Sequence, residues 1–249
     1  MKDYLVRIYS DALIRDVPVR ILLPPGENLK CLVLLHGYGG DHNQWCTHSA
    51  ITMLAEQYHL CILMPSCKDL YYENTIEDIP RFIGEDLLHY AQSILPVSSE
   101  RSDFSIAGVS MGGFGAMLLG SKFPELFGKI ASLSGAFIIP DVVIGNQGVL
   151  GHANPDYFKK VFGSFEKLEG SSRDPLAEAI RAADKHTLPE IFLLCGSQDV
   201  LCRENKKIAK TLLEHGATVD WYEVDGNHTW DLWNDYLPFM LKWIVDDNT

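Results

Sequence analysis

The stretch FSIAGVSMGGFGAMLLG, residues 104–120, decides the fold of this chain. Four mostly apolar residues run directly into the segment Gly-Val-Ser-Met-Gly at 108–112, and a glycine-rich apolar segment follows. The apolar run is typical of a strand buried on both faces, and the segment after it of a helix packed closely on that strand. The serine at this junction, Ser110, has two interpretations. It belongs to a flexible turn, or it is a nucleophile on a strained strand-to-helix elbow.

Short apolar runs that end in glycine or proline recur along the chain, with helix-like patterns between them. This alternation with short loops predicts an α/β fold with a mostly parallel central sheet and helices on both faces. The first two strands, at 4–10 and 17–25, flank a polar turn near Asp11, and we expect them to be antiparallel. The later runs are CLVLLHG at 31–37, LCILMPS at 60–66, KIASLSG at 129–135 and EIFLLCG at 190–196.

The length of 249 residues suits one α/β domain, and we predict a single domain over residues 1–249. One segment interrupts the strand-helix alternation. Residues from about 136 to 188 separate two predicted core strands with a loop-rich stretch, and long connections of this kind usually form lids or surface insertions. We therefore predict a loop and helical insertion at about 136–188, near the predicted active site.

Composition excludes several classes of protein. The net charge is −12 and no cluster of Lys and Arg occurs, which argues against nucleic-acid binding. No apolar run reaches the length of about 18 residues that a membrane span needs. The first 26 residues lack the apolar core and cleavage site of a secretory signal. The six cysteines form no C-x-x-C pair, so we expect neither a disulfide framework nor a metal site. Unpaired cysteines are typical of a reducing compartment, so we expect a cytoplasmic location.

Polar residues follow several predicted strands at the point where each strand ends. Ligands of open α/β sheets bind at the carboxyl ends of the strands. Keeping only the polar positions directly after an apolar run yields a serine, an acid and a histidine without reference to any motif. These positions are residues 36–41, Ser110, Ser134, Asp199 and His228.

A catalytic set drawn from these positions has Ser110 as nucleophile, His228 as general base and Asp199 as the acid that orients the imidazole. A serine hydroxyl needs a base to take its proton, and the base needs an acid to hold its tautomer. The order serine, acid, histidine along the chain is the one expected of α/β-hydrolases. Alternatives stay open, since Asp199 is also placed to cap the following helix and His152 is a rival histidine.

Acyl transfer also needs donors for the developing oxyanion. One candidate is the backbone N–H of Met111, directly after the nucleophile. The other comes from the loop at 36–41, with Tyr38 as first choice and Gly39 as second. We expect His36 to be a structural hydrogen-bonding residue.

Four stretches carry a resemblance to a known family: LLHGYGGDHNQW at 34–45, GVSMGGFGAM at 108–117, CGSQD at 195–199 and GNHTWDLW at 226–233. Together they resemble the esterase D/putative esterase family of α/β-hydrolases, and bacterial tributyrin-type esterases most of all. S-formylglutathione hydrolases and feruloyl esterases are more distant relatives, and the glycine loop here lacks the cysteine usual in the former. The resemblance implies a triad of Ser110, Asp199 and His228, oxyanion amides of Tyr38 and Met111, and no cofactor.

The substrate predicted from these features is a small, neutral, short-chain acyl ester. Four aromatic residues flank the predicted site loops and are candidates for the pocket, although aromatic residues more often pack in the core. A thioesterase, an acyltransferase, a serine peptidase and a non-catalytic binding protein remain alternatives on the same scaffold, and self-association into a homo-oligomer stays open. The four aromatic residues are Trp45, Tyr71, Tyr72 and Trp230.

Overall fold

The computed structural model describes residues 1–137, 155–164 and 167–246 of the chain. Its centre is a sheet of eight strands, most of which consist of the apolar runs predicted from the sequence. The strands are β1 (Lys2–Ser10), β2 (Arg15–Leu23), β3 (Cys31–Leu35), β4 (Cys61–Pro65), β5 (Phe104–Val109), β6 (Lys129–Leu133), β7 (Glu190–Gly196) and β8 (Val219–Val224).

The strand order is β1-β2-β4-β3-β5-β6-β7-β8. The pairs β1–β2 and β2–β4 are antiparallel, and the remaining pairs are parallel. The prediction of a mostly parallel sheet with antiparallel N-terminal strands is therefore confirmed, and the sheet has the arrangement of the α/β-hydrolase fold.

Both faces of the sheet are buried, which explains why its central strands are apolar throughout rather than alternating. In β3, Val33 and Leu35 belong to one core cluster, whereas Leu32 and Leu34 belong to the other. Successive side chains of a strand point to opposite faces, so a strand covered on both sides needs apolar residues at every position.

Helices cover the two faces of the sheet. The helices are α1 (Gln44–His48), α2 (Ile51–Gln57), α3 (Ile79–Arg81), α4 (Leu88–Ile94), α5 (Met111–Lys122), α6 (Pro155–Phe162), α7 (Pro175–Asp184), α8 (Cys202–Glu214) and α9 (Trp230–Val245). The face with Leu32 and Leu34 carries α1, α2 and α9. The face with Val33 and Leu35 carries the other helices, together with a π-helical segment (Phe82–Leu87) between α3 and α4.

Helix ends follow the local sequence signals. Helix α8 ends before His215 and Gly216, and Gly216 adopts a φ of +75°, as a glycine that terminates a helix commonly does. Helix α9 begins at Trp230, where the Thr229 side chain caps it by accepting a hydrogen bond from the Leu232 N–H.

The predicted insertion at about 136–188 is described only in part. It contains α6 and α7, and residues 138–154 lie outside the described residues. Helix α6 packs Phe158 and Phe162 against the core face that carries α5. None of the helices in the described ranges has the length and apolarity that crossing a membrane requires.

Strand register places the candidate site residues at one edge of the sheet. Val109 of β5 lies opposite Leu133 of β6, and Leu133 lies opposite Leu194 of β7. Ser110 and Ser134, which directly follow β5 and β6, therefore lie at the same edge, and the end of β7 is next to them. The shared carboxyl edge expected from the sequence is present.

Candidate active site

Ser110 lies on a sharp turn between β5 and α5. Its backbone has φ of 55° and ψ of −115°, a conformation that non-glycine residues rarely adopt. Its N–H donates to the Leu133 carbonyl of β6 at 2.9 Å, and its own carbonyl accepts from the N–H groups of Phe114 and Ala136. These backbone bonds hold the strained turn, and they exclude the interpretation of a flexible turn.

The glycines beside Ser110 allow the strand and the helix to approach each other. A Cβ atom on Gly108 would lie 2.3 Å from the Gly112 backbone, and one on Gly112 would lie 2.4 Å from the Leu35 carbonyl oxygen. Side chains at these positions would therefore force α5 away from the sheet.

His228 connects the serine and the acid. Its Nε2 atom lies 3.0 Å from Ser110 Oγ, and its Nδ1 atom lies 2.8 Å from Asp199 Oδ2. With the Nδ1–H donating to the carboxylate, Nε2 is left to accept the serine hydroxyl proton. The three side chains predicted from separate strand ends thus form one line of hydrogen bonds, which can move a proton away from Ser110.

The Asp199 carboxylate is fully shielded from solvent. Burial opposes its ionisation, but the hydrogen bond and charge of His228, together with the hydrogen bond from the Leu201 N–H, outweigh burial and hold the pKa of Asp199 below its ordinary value. The Leu201 N–H donates to Oδ1 at 2.9 Å. The predicted capping role is therefore partly present, because one carboxylate oxygen caps the turn before α8 while the other contacts His228.

Two side chains hold the backbone of the loop after β3 by hydrogen bonds. The Gly37 N–H donates to Gln44 Oε1 and the Gly39 N–H donates to Asp69 Oδ1, each at 2.7 Å. Gly39, the second choice for the oxyanion donor, therefore has its N–H engaged. Among the described residues, the N–H groups of Tyr38 and Met111 have no acceptor, so both remain available to a ligand.

His36 is a structural residue, as expected. Its Nδ1 atom lies 2.8 Å from the Gly37 carbonyl oxygen, and its Nε2 accepts from the Cys67 N–H at 3.1 Å. Burial lowers the pKa of His36, which keeps the imidazole neutral in this position.

The four aromatic pocket candidates lie in different surroundings. Trp45, Tyr71 and Tyr72 have at most 1% of their surface exposed, whereas Trp230 is half-buried. Trp45 donates its Nε1–H to the Leu35 carbonyl and contacts the Trp230 ring edge-on. The predicted pocket role of these residues stays a prediction, and the contacts described for the three buried ones are core contacts.

Tyr71 and Tyr72 join the loop after β4 to the elbow. Tyr72 donates its hydroxyl to the His36 carbonyl at 2.9 Å, at the start of the loop that carries Tyr38. Tyr71 packs edge-on against Phe114 of α5 and against Phe162 of α6. These contacts support both the elbow and the loop at residues 36–41 after β3, here called the oxyanion loop. They do so from the face of the sheet opposite to Trp45.

Another histidine and another acid have partners outside the line of hydrogen bonds from Ser110 through His228 to Asp199. His215 lies 3.1 Å from Asp184, and Asp225 accepts from Gln198 rather than from His228. His152 lies outside the described residues. Within the described ranges, no group of three or more His, Cys, Asp or Glu side chains could hold a metal ion.

Sequence reasoning missed three residues that shape the site. Gln44 and Asp69 bind the backbone of the oxyanion loop, as described above. Asn205, fully buried in α8, binds both the N–H and the carbonyl of Gly135, next to the Ala136 N–H that holds Ser110. Gln44 and Asp69 lie in stretches that the resemblance to the esterase family includes, LLHGYGGDHNQW at 34–45 and DLYYENT at 69–75. A polar residue inside a helix, such as Asn205, gives no pattern of its own.

The strand order, the helices on both faces and the serine at the elbow are those of the α/β-hydrolase fold. The chain belongs to the family described as Putative esterase, whose sequence model matches residues 10–244. The family predicted from the four motifs is thus confirmed.

Individual relatives agree with this assignment. An acetyl esterase of Caldicellulosiruptor saccharolyticus is 31% identical over 256 residues, which cover 96% of each chain. The substrate-bound structure of the fluorophosphonate-binding serine hydrolase F of Staphylococcus aureus has a TM-score of 0.89, with 23% identity over 99% of both chains. An S-formylglutathione hydrolase of Staphylococcus aureus has a TM-score of 0.87, with 22% identity over 98% of this chain and 99% of the other. At these identities the two structures show a shared fold.

Proposed function

We propose that the protein hydrolyses short-chain acyl esters through an acyl-enzyme intermediate formed on Ser110, with His228 as general base and Asp199 as its orienting acid. The observation that carries this proposal is the unbroken line of hydrogen bonds from Ser110 Oγ through His228 to Asp199, 3.0 Å and 2.8 Å long. No other set of described side chains at the carboxyl edge of the sheet combines a nucleophile, a base and an acid in this way.

In the first half of the reaction, Ser110 Oγ attacks the ester carbonyl carbon while His228 Nε2 takes the hydroxyl proton. Asp199, ionised because its pKa is held low, stabilises the imidazolium that results. The C–O bond to the alcohol then breaks, and His228 returns the proton to the departing alkoxide. The acyl group is left on Ser110.

The carbonyl oxygen becomes negative in this step and needs donors fixed in advance. The N–H groups of Tyr38 and Met111 are proposed for this role, because both are free of described acceptors. Met111 is also the first residue of α5, so the positive end of the helix dipole lies at the oxyanion.

In the second half, water takes the place of the alcohol. His228 Nε2 removes a proton from the water, whose oxygen attacks the acyl carbonyl, and the same two N–H groups stabilise the second oxyanion. The proton then passes to Ser110 Oγ as the carboxylic acid leaves, which restores the starting state.

The proposed substrates are neutral esters of short acyl chains. The relative that is 31% identical is named an acetyl esterase, which supports a small acyl group. The Asp69 carboxylate lies at the oxyanion loop, bound to the Gly39 N–H, and its negative charge disfavours anionic substrates nearby. Hydrolysis of a thioester such as S-formylglutathione would use the same catalytic atoms. The carboxylates of its glutathione part are negatively charged, so the Asp69 carboxylate disfavours this substrate.

A p-nitrophenyl ester series from acetate to laurate tests the proposal, with S-formylglutathione assayed in parallel. Wild-type protein should turn over acetate and butyrate esters fastest, and Ser110→Ala should lose about 10⁴-fold or more in kcat. Ser132→Ala, which removes a buried hydroxyl on the neighbouring strand, is the matched control and should keep wild-type activity.

Three results would count against parts of the proposal. An active Ser110→Ala variant would refute the nucleophile. Long-chain esters turned over as fast as short ones would refute the chain-length preference. A kcat/KM for S-formylglutathione above that for every ester would favour the thioesterase alternative.

A further inference from the structure

Tyr72 lies in a strained stretch of backbone beside the candidate site. In the loop between β4 and α3, Tyr71 and Tyr72 have φ values of 52° and 58°. Two consecutive left-handed residues other than glycine are disfavoured, because each Cβ atom then approaches the following carbonyl oxygen. Such a conformation persists where the surrounding structure holds it, and it often occurs at functional sites. The contacts that hold Tyr72 in place therefore indicate what this loop does.

The Tyr72 ring packs directly on the helix that follows the elbow. Its side chain is fully buried. A Cβ atom on Gly115 of α5 would lie 2.3 Å from the Cδ2 atom of the ring, so the ring occupies the space that a side chain on the helix would need. Gly115 lies about one turn after Met111, the first residue of α5. The ring thus fixes the helix turn whose start carries the Met111 N–H.

The Tyr72 hydroxyl holds the oxyanion loop. It donates to the His36 carbonyl at 2.9 Å, two residues before Tyr38. The loop of Tyr72 binds His36 a second time, because the Cys67 N–H donates to His36 Nε2 at 3.1 Å. The same carbonyl lies next to the first turn of α5, since a Cβ atom on Gly112 would be 2.8 Å from its oxygen. The hydroxyl therefore acts where the oxyanion loop meets the helix.

We propose that Tyr72 is a positioning residue that sets the spacing between the two oxyanion donors. Its ring holds α5, which begins with Met111, and its hydroxyl holds the loop that carries Tyr38. This inference rests on the proposed function, in which the N–H groups of Tyr38 and Met111 bind the oxyanion. Tyr72 acts through the positions of these two groups rather than through contact with the substrate.

Loss of the hydroxyl has a consequence for rate that differs from its consequence for substrate binding. Without this donor the His36 carbonyl can move, and the Tyr38 N–H moves with it relative to Met111. The two donors act on charge that develops in the transition state, so kcat falls while KM for a neutral ester changes little. Removing a whole donor costs about 10²- to 10³-fold in kcat, and displacing one should cost about tenfold.

Binding of trifluoroacetone reports on the oxyanion donors separately. Ser110 Oγ adds to its carbonyl carbon, the hydroxyl proton passes to His228, and the carbonyl oxygen becomes an oxyanion at the two N–H groups. Because this adduct resembles the transition state, its affinity should fall by the same factor as kcat when the donors are displaced.

The experiment compares Tyr72→Phe and Tyr58→Phe with wild type by p-nitrophenyl acetate kinetics, trifluoroacetone inhibition and thermal unfolding. Tyr72→Phe removes one oxygen atom and keeps the ring against Gly115. Tyr58→Phe is the matched control, because Tyr58 also donates its hydroxyl to a backbone carbonyl, that of Pro238 at 3.1 Å, on the opposite face of the sheet. Each variant loses one hydrogen bond, so both should lose some stability.

The inference predicts about tenfold losses in kcat and in trifluoroacetone affinity for Tyr72→Phe, with KM near wild type, whereas Tyr58→Phe keeps all three values. Wild-type kcat and inhibition in Tyr72→Phe would overturn it. A lower kcat without weaker inhibition would also overturn it, because the oxyanion donors would then be in place. Equal kinetic losses in the two variants, or a Tyr72→Phe protein that does not fold, would show that the hydroxyl supports the structure as a whole and would likewise overturn it.

The failure of this inference can be distinguished from the failure of the proposed function. An inactive wild type or an active Ser110→Ala would overturn the proposed function, and the role of Tyr72 with it. An active wild type that depends on Ser110, together with an insensitive Tyr72→Phe, would overturn the role of Tyr72 alone.

Discussion

The Nε2 atom of His228 lies 3.0 Å from the Oγ atom of Ser110, although 118 positions separate the two residues in the sequence. The sheet produces this contact. Ser110 directly follows a central strand and His228 follows the last one, and parallel strands end at the same edge. The strained backbone of Ser110 then turns its side chain toward the imidazole rather than into the sheet.

Asp199→Asn should lower kcat by about 10³- to 10⁴-fold with little loss of thermal stability. The amide can donate to His228 Nδ1, which favours the tautomer whose Nε2 carries the proton and cannot accept from Ser110. Steady-state kinetics and thermal unfolding measure the two effects. Asp225→Asn is the control, because Asp225 lies close to His228 in sequence but accepts from Gln198. A near-normal rate for Asp199→Asn would point to a different acid.

Asp69→Ala should lower kcat by about tenfold on all esters alike. Asp69 fixes the Gly39 N–H, next to the proposed Tyr38 donor, so its loss lets the oxyanion loop move. Asp69→Asn keeps an acceptor oxygen at the same place and should remain near wild type. If the two variants are equally slow in steady-state assays, the charge of Asp69 rather than its hydrogen bond is what matters.

Gly112→Ala should destabilise the protein by about 3 kcal/mol or prevent folding, because the new Cβ would lie 2.4 Å from the Leu35 carbonyl oxygen. Gly163→Ala is the comparison. Gly163 has a φ of +69° with open space around it, so alanine there meets only the backbone cost of about 1 kcal/mol. Urea denaturation gives both values. Equal losses would show that α5 can move away from the sheet.

The fold and the proposed triad could be predicted from the sequence because each depends on a local pattern. A strand buried on both faces must be apolar at every position, and the polar residue that follows it must lie at the carboxyl edge. Ser110 and Asp199 satisfy this rule, and so does Ser134, for which the sequence offered no role. His228 instead follows β8, a partly exposed strand at the edge of the sheet.

The supporting residues could not be predicted, because their partners come from other loops. Asp69 contacts Gly39 across 30 positions and Asn205 contacts Gly135 across 70, and neither spacing leaves a periodic signal. Trp45 shows the same limit for aromatic residues. A tryptophan beside a site loop fits a pocket and a core equally well by sequence, and in the structure Trp45 is 1% exposed.

Glu73 lies in the loop after β4 and is almost fully buried, at 1% exposure of its side chain. Neither carboxylate oxygen has a hydrogen-bond partner among the described residues, and the nearest cation is the Arg173 Nε at 3.8 Å. Burial raises the pKa of Glu73 to about 8, although Arg173 acts in the opposite direction. The folded protein therefore binds a proton at Glu73 that the unfolded chain releases above a pH of about 4.5.

This difference predicts how stability changes with pH. Because the folded state holds this proton more tightly than the unfolded chain, the free energy of unfolding of the wild type falls as pH rises from 5 to 8. Glu73→Gln lacks this effect, so its stability relative to wild type should be greater at pH 8 than at pH 5, by up to about 3 kcal/mol. Urea denaturation at both pH values measures the difference. Glu77→Gln is the control, because Arg15 and Lys68 outweigh burial and lower the pKa of Glu77, so its effect should be nearly constant across this window. Parallel behaviour of the two variants would show that the Glu73 carboxyl is ionised in the folded protein throughout this range.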